Sequence, residues 1–142
     1  MTNPIPTRWI SEMEGQLADA DRRLVNAQRH LEAGAGGRAL EEVYPGVMGT
    51  AMVRVWLKDE PWHTRRSLEE LSRMVRDELP SGFATLFELK LDHHSFTGWR
   101  AEDARPLVDE ARAFVAAVRA EVERCAPKPG PAHACDTRIQ LE

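Results

Sequence analysis

No apolar run in this chain approaches the roughly 20 residues that a membrane-crossing helix needs, so no membrane role is expected. Met1 to Pro6 carries neither the basic nor the apolar stretch of a secretory leader, and the cytoplasm is the expected address. Cysteine is scarce. Cys125 and Cys135 fall in a proline- and glycine-rich stretch near the end, too few for a disulfide framework. Zinc sites usually declare themselves through close pairs such as H-x-x-x-H or C-x-x-C, and neither occurs. Cys125, His133 and Cys135 offer three soft ligands without a fourth nearby, and His93 or His94 could meet His63, Asp92 or His30 only through the fold. No metal and no cofactor is expected. Alternation of apolar and polar residues is never sustained long enough to build a sheet. Strong charge is also missing: a formal net charge of −4 argues against bulk attraction to nucleic acid or anionic membrane.

What is present is helical. The 142 residues suffice for one domain with a real core. Ile10, Met13, Leu17, Ala20, Leu24, Ala27 and Leu31 recur at alternating spacings of three and four, which predicts one apolar face on a long first helix. The run Ala33-Gly34-Ala35-Gly36-Gly37 ends it. Residues 38–58 are apolar nearly all round, as suits the middle helix of a bundle, with a break or kink expected at Pro45-Gly46. Ser67-Leu68-Glu69-Glu70 has the form of a capping box opening a third helix, with Leu68, Leu71, Met74 and Val75 as its inner face. Phe83 to about His93 reads as further helix, with a short strand as the alternative. Asp103 is placed to cap the last helix, Pro106 to lie in its first turn, and Leu107, Ala111, Phe114, Val115, Val118 and Val122 to form its apolar stripe. The expected fold is therefore all-α, an up-and-down bundle of four to five helices. It divides into an N-terminal arm over residues 1–7, the bundle over 8–124 and a proline-rich tail over 125–142.

Chemistry concentrates in Leu91-Asp92-His93-His94-Ser95-Phe96-Thr97-Gly98-Trp99-Arg100. Two histidines that titrate near neutrality and an arginine suit proton transfer beside a phosphate. Adjacent helical residues point about 100° apart, so one histidine at most faces a given pocket. The plainer reading is a helix C-terminus, where a histidine cation is favourable with the helix dipole. Trp56, Trp62 and Trp99 either line a ligand pocket or plug the ends of a bundle. Arg65, Arg66, Arg73 and Arg76 alternate with Glu69, Glu70, Asp77 and Glu78, which reads as a solvated, ion-paired face.

Three stretches in order resemble the HEPN superfamily of small helical bundles. WISEMEGQLADADRRLVNAQRHLEAG is similar to that family's opening helix. YPGVMGTAMVRVWLKDEPWHTRRSLEEL is similar to its buried second helix, polar link and third helix. LFELKLDHHSFTGWRAEDARPLVDEARAFVAAV looks like its terminal portion. The likeness covers about residues 8–123. It implies a homodimer and, in catalytic members, a ribonuclease that carries arginine, four to six residues, then histidine. Here Arg100 follows His93 and His94, and the one formal match, Arg23 to His30, lies in the first helix. The resemblance thus implies a non-catalytic binding module for a protein partner or a nucleotide-containing ligand. The enzymatic alternative is a divergent, metal-independent ribonuclease, such as the toxin of a toxin–antitoxin pair, using His93 or His94 with Arg100. In either case Asp92, Trp99, Trp62 and His63 are the expected ligand contacts.

Overall fold

The structure, a computed structural model, describes residues 5–59, 66–88 and 96–125. Five helices follow in order: α1 Thr7–Glu32, α2 Gly36–Asp59, α3 Leu68–Glu78, α4 Ser81–Glu88 and α5 Ala101–Cys125. Among the described residues there is no strand, so the chain is an all-α bundle.

Helix α1 buries the seven residues of its apolar seam, Ile10 through Leu31. Ahead of it, Ile5 in the expected N-terminal arm is also fully buried. The helix stops by backbone geometry. Ala35 N–H bonds the His30 carbonyl at 2.8 Å and Gly34 N–H bonds the Leu31 carbonyl at 3.0 Å. That double closure needs a left-handed residue between, and Gly34 supplies it at φ +77°.

Helix α2 is the hub, packing against α1, α5 and α3. Ala39, Leu40, Val43, Val47, Thr50, Ala51, Val53 and Val55 are buried on it, at about 1.5–3 kcal/mol for each fully buried large side chain. Of the break or kink expected at Pro45-Gly46, the break does not occur: α2 runs through Pro45 as one helix. Pro45 and Glu41, whose carbonyl loses its partner, both lie on the exposed side of α2, where one missing helical hydrogen bond costs least. The buried hydroxyl of Thr50 donates to the Gly46 carbonyl at 2.8 Å, satisfying the one buried polar side chain among the described residues of the core.

Helices α1 and α2 are antiparallel and close. Gly46 lies against the backbone of Ala20, and Gly49 against the Gln16 side chain. Arg23 Nη1 donates to the Glu42 carbonyl and to Glu42 Oε2, each at 3.3 Å. Helix α5 also runs antiparallel to α1: Arg112 Nη2 meets Gln28 Oε1 at 3.4 Å, and Arg119 donates to Asp21 and to the Leu17 carbonyl. Helices α2 and α5 therefore run the same way. Arg54 ties them by donating twice to Glu121, at 3.3 and 2.6 Å, with its guanidinium 5.2 Å from the Phe114 ring centroid. The chain needs a return path between two parallel helices, and α3 and α4 lie on it.

The return helices depart from expectation in detail. Ser67 caps α3, its Oγ accepting from Glu70 N–H at 3.1 Å as the capping box requires. Leu68, however, is 83% exposed. Only the later part of α3, at Met74 and Val75, packs on the core, together with Leu79 beyond it, among the described residues. Two of the four arginines of this face are ion-paired, Arg66 with Glu70 at 3.5 Å and Arg76 with Asp77 at 3.4 Å and Glu88 at 3.2 Å; Arg65 lies outside the described residues. Helix α4 already includes Ser81 and Gly82, and Gly82 N–H donates to Glu110 Oε1 of α5 at 2.9 Å. An α5 carboxylate thus satisfies the N-terminus of α4. The expected extension of α4 to His93 lies outside the described residues beyond Glu88.

Helix α5 begins at Ala101. The Arg100 carbonyl accepts from Asp103 N–H at 3.1 Å and Ala104 N–H at 3.0 Å. Asp103 therefore sits inside the first turn with Glu102 instead of capping it, a placement the helix dipole favours, and Pro106 falls in the second turn. The stripe holds and gains Val108, while Leu107 packs partly buried against the core.

Arg23 beside Asp19, with its Nε donating at 2.8 Å, holds the Asp19 carboxyl below its ordinary value of 3.8, and Arg22 adds to this. A depressed folded value means that the stability from Asp19 is present above 3.8 and lost as pH falls through the folded value. Asp19→Asn should lower the unfolding midpoint at neutral pH, with the difference from wild type closing as pH drops below 3.8. Urea unfolding at a series of pH values checks this. An undiminished difference in acid would assign the loss to another cause.

Candidate functional site

The described part of the corner is held by backbone, at the end of the bundle where α1 stops and α2 and α5 begin. A β-carbon on Gly36 would overlap the Arg100 carbonyl and the Ala101 nitrogen, and one on Gly37 would overlap the Phe96 carbonyl. No side chain fits between the first turn of α2 and the corner. The glycine run after α1 therefore does two jobs: Gly34 stops the helix, and Gly36 and Gly37 let the entry to α5 dock.

Aromatic packing adds a second hold. Phe96, 5% exposed, meets Tyr44 of α2 edge-on with ring centroids 5.9 Å apart. Tyr44 in turn meets Phe83 of α4 at 6.4 Å, and Phe96 meets Trp99 at 6.4 Å. A ladder of four rings thus links α4, α2 and the corner. Burial pushes the Tyr44 phenol above its ordinary value. Trp99 N–H bonds the Phe96 carbonyl at 3.3 Å, closing the turn. The half-buried Trp99, with Thr97, Gly98 and Asp103, lines an open depression at the outer end of the ladder.

Of the expected catalytic trio, only Arg100 lies among the described residues. Its side chain is 72% exposed, with Nη1 on Glu102 Oε1 at 2.7 Å. The backbone of Arg100 is what the fold uses, packed against Gly36 and receiving the first α5 hydrogen bonds. His93, His94, Asp92, Trp62 and His63 lie outside the described residues. Trp99 is placed at the depression, beside the start of α2, whereas Trp56 is near the far end of α2, edge-on to Trp9 at 5.0 Å. The helix between those two ends spans about 30 Å, so Trp56 and Trp99 do not share a pocket.

Arg23 and His30, the formal match to the arginine–histidine pattern, are two turns apart on α1, about 10 Å along the axis. The Arg23 guanidinium is engaged by Asp19 and Glu42, which makes it a link between α1 and α2. Among the described residues no three His, Cys, Asp or Glu side chains come together in a way that could hold a metal. Cys125 ends α5, and His133 and Cys135 lie outside the described residues.

Reading the corner for its polar groups passes over Phe96 and Tyr44, which anchor it. One signal was present: a helix stop needs one glycine, and Ala33 to Gly37 contains three. The surplus marks a close approach of backbones.

Two substitutions separate the roles. Phe96→Ala removes a buried ring and should cost about 3–5 kcal/mol. Arg100→Ala keeps the carbonyl and removes only an exposed side chain, so stability should stay within about 0.5 kcal/mol of wild type. Chemical denaturation measures both. A large loss in Arg100→Ala would mean that its guanidinium holds the corner.

No protein-family model, no curated protein and no solved structure matches this chain.

Proposed function

We propose that this chain is a non-catalytic binding module of the HEPN-like kind, working as a homodimer, with its ligand held at the corner that ends in Thr97, Gly98, Trp99 and Asp103. The ligand is a nucleotide-containing molecule or a segment of a partner protein. The observation that carries this reading is the division of labour at Arg100. Its backbone is fixed by Gly36 and by α5, while its guanidinium is turned to solvent and neutralised by Glu102. A phosphate-holding arginine in a ribonuclease needs to be free of such a carboxylate and aimed into a cleft with its histidine. Trp99 supports the binding reading. Its ring is backed by Phe96 and half open, a prepared surface for stacking a planar group at little ordering cost.

Two measurements test it. The purified, folded protein should leave a mixed-sequence RNA intact. Cleavage that disappears in a folded His93→Ala/His94→Ala variant would replace the binding reading with a metal-independent ribonuclease. Fluorescently labelled ATP should bind wild type, with affinity about tenfold weaker in Trp99→Ala, the order expected for one stacked base. Absence of ATP binding would leave the partner protein as the ligand.

A further inference from the structure

We infer that the second copy of this chain docks on the outer face of α1 and α5, by a two-fold antiparallel packing of α1 on α1. The inference rests on the homodimeric reading above and adds the surface and its register.

The flank of α1 beside its buried seam, toward α5, is unusual for a solvent face. Val25 is 53% exposed, one of only two large hydrophobic residues that stand out among the described residues. Two turns earlier on the same row lies Ala18, with Gly15 a turn before that, both exposed, and nothing lies within 4 Å of a β-carbon placed on Gly15. Small residues beside a projecting Val25 are what two helices need to approach closely. Two grooves flank the bridge between Asp21 and Arg119 along the α1–α5 crevice. Ala18 lines one and Val25 the other.

Charge fixes the register. The groove beside Ala18 carries Glu14, Asp21 and Glu123 with Arg119, and the groove beside Val25 carries Arg29 and Arg112 with Glu32. Acid is in excess at one end of the face and base at the other. An isologous contact superposes each end on the other. A two-fold axis passing beside Asp21 and Arg22 sets Val25 over Ala18 of the second copy and Glu14 against Arg29. Gly15 then faces Gln28, and Asp21, bonded to Arg119 in its own copy, faces Arg22, bonded to Asp19. Each apolar projection meets a small residue, and each Glu14 meets an Arg29. The 26-residue α1 spans about 39 Å, long enough with α5 for the roughly 800 Å² per partner of a standard interface.

Charge reversal tests both surface and register. Glu14→Arg sets arginine against arginine twice in a homodimer, and Arg29→Glu sets glutamate against glutamate twice. Each variant alone should be a monomer in sedimentation equilibrium at micromolar concentration where wild type is a dimer. Mixed in equal amounts, the two should form a heterodimer. The arginine introduced in one copy then faces the glutamate introduced in the other, while one native pair of Glu14 with Arg29 survives. Circular dichroism confirms that each variant is folded. A dimeric wild type whose variants both remain dimeric would overturn this surface and leave the homodimer standing. A monomeric wild type would overturn the homodimer as well.

Discussion

The fold of this chain turns on one close approach, the backbone of Gly36 and Gly37 against the backbone of Phe96, Arg100 and Ala101. Helices α2 and α5 run parallel and pack along their length, so the chain must travel back between them and re-enter beside the start of α2. The point of re-entry is where the two backbones touch. With no β-carbons in the way, the first turn of α5 can begin level with the first turn of α2. The remaining contacts follow from that alignment: Arg54 reaches Glu121, Phe114 lies under the Arg54 guanidinium, and both helices present apolar faces to α1. The aromatic ladder from Phe83 through Tyr44 and Phe96 to Trp99 holds the same junction from the side of α4.

This arrangement gives the corner a fixed backbone and a half-open aromatic end without a cluster of convergent catalytic groups among the described residues. A binding surface needs such rigidity, since whatever is already ordered is not ordered again on binding. The outer face of α1 and α5 has the opposite character. It is shallow and charged, and its central feature is one exposed valine among small residues. The two surfaces share no residue, so occupation of one leaves the other available.

The parts of this structure that were legible in the sequence are those set by local periodicity. The α1 seam has strict helical spacing, and all seven of its members are buried. The capping serine of α3 and the nearly all-round apolar character of α2 act within a turn or two of the chain. What was not legible depends on tertiary neighbours. Pro45 reads as a break by local rules, yet packing of α2 on three helices carries the helix through it. Leu68 fits an apolar stripe, but among the described residues no element covers it. Asp103 has the chemistry of a cap, and the backbone docking at Gly36 starts α5 three residues earlier. At the corner, Trp99 lines the depression, and Arg100 proved to matter through its carbonyl. Phe96 stands alone between Ser95 and Thr97 and carries no periodic signal, while Tyr44, within the apolar second helix, gives no sign in sequence of which ring it meets.

The close approach itself is tested most directly by the free energy of unfolding of Gly36→Ala. By helix propensity alone, alanine in place of a helical glycine stabilises by up to about 1 kcal/mol. The docking of the corner on Gly36 predicts the reverse sign: a loss of stability, because the new methyl meets main-chain atoms of Arg100 and Ala101 that cannot swing aside. A gain of stability in Gly36→Ala, with the fold intact, would contradict the account.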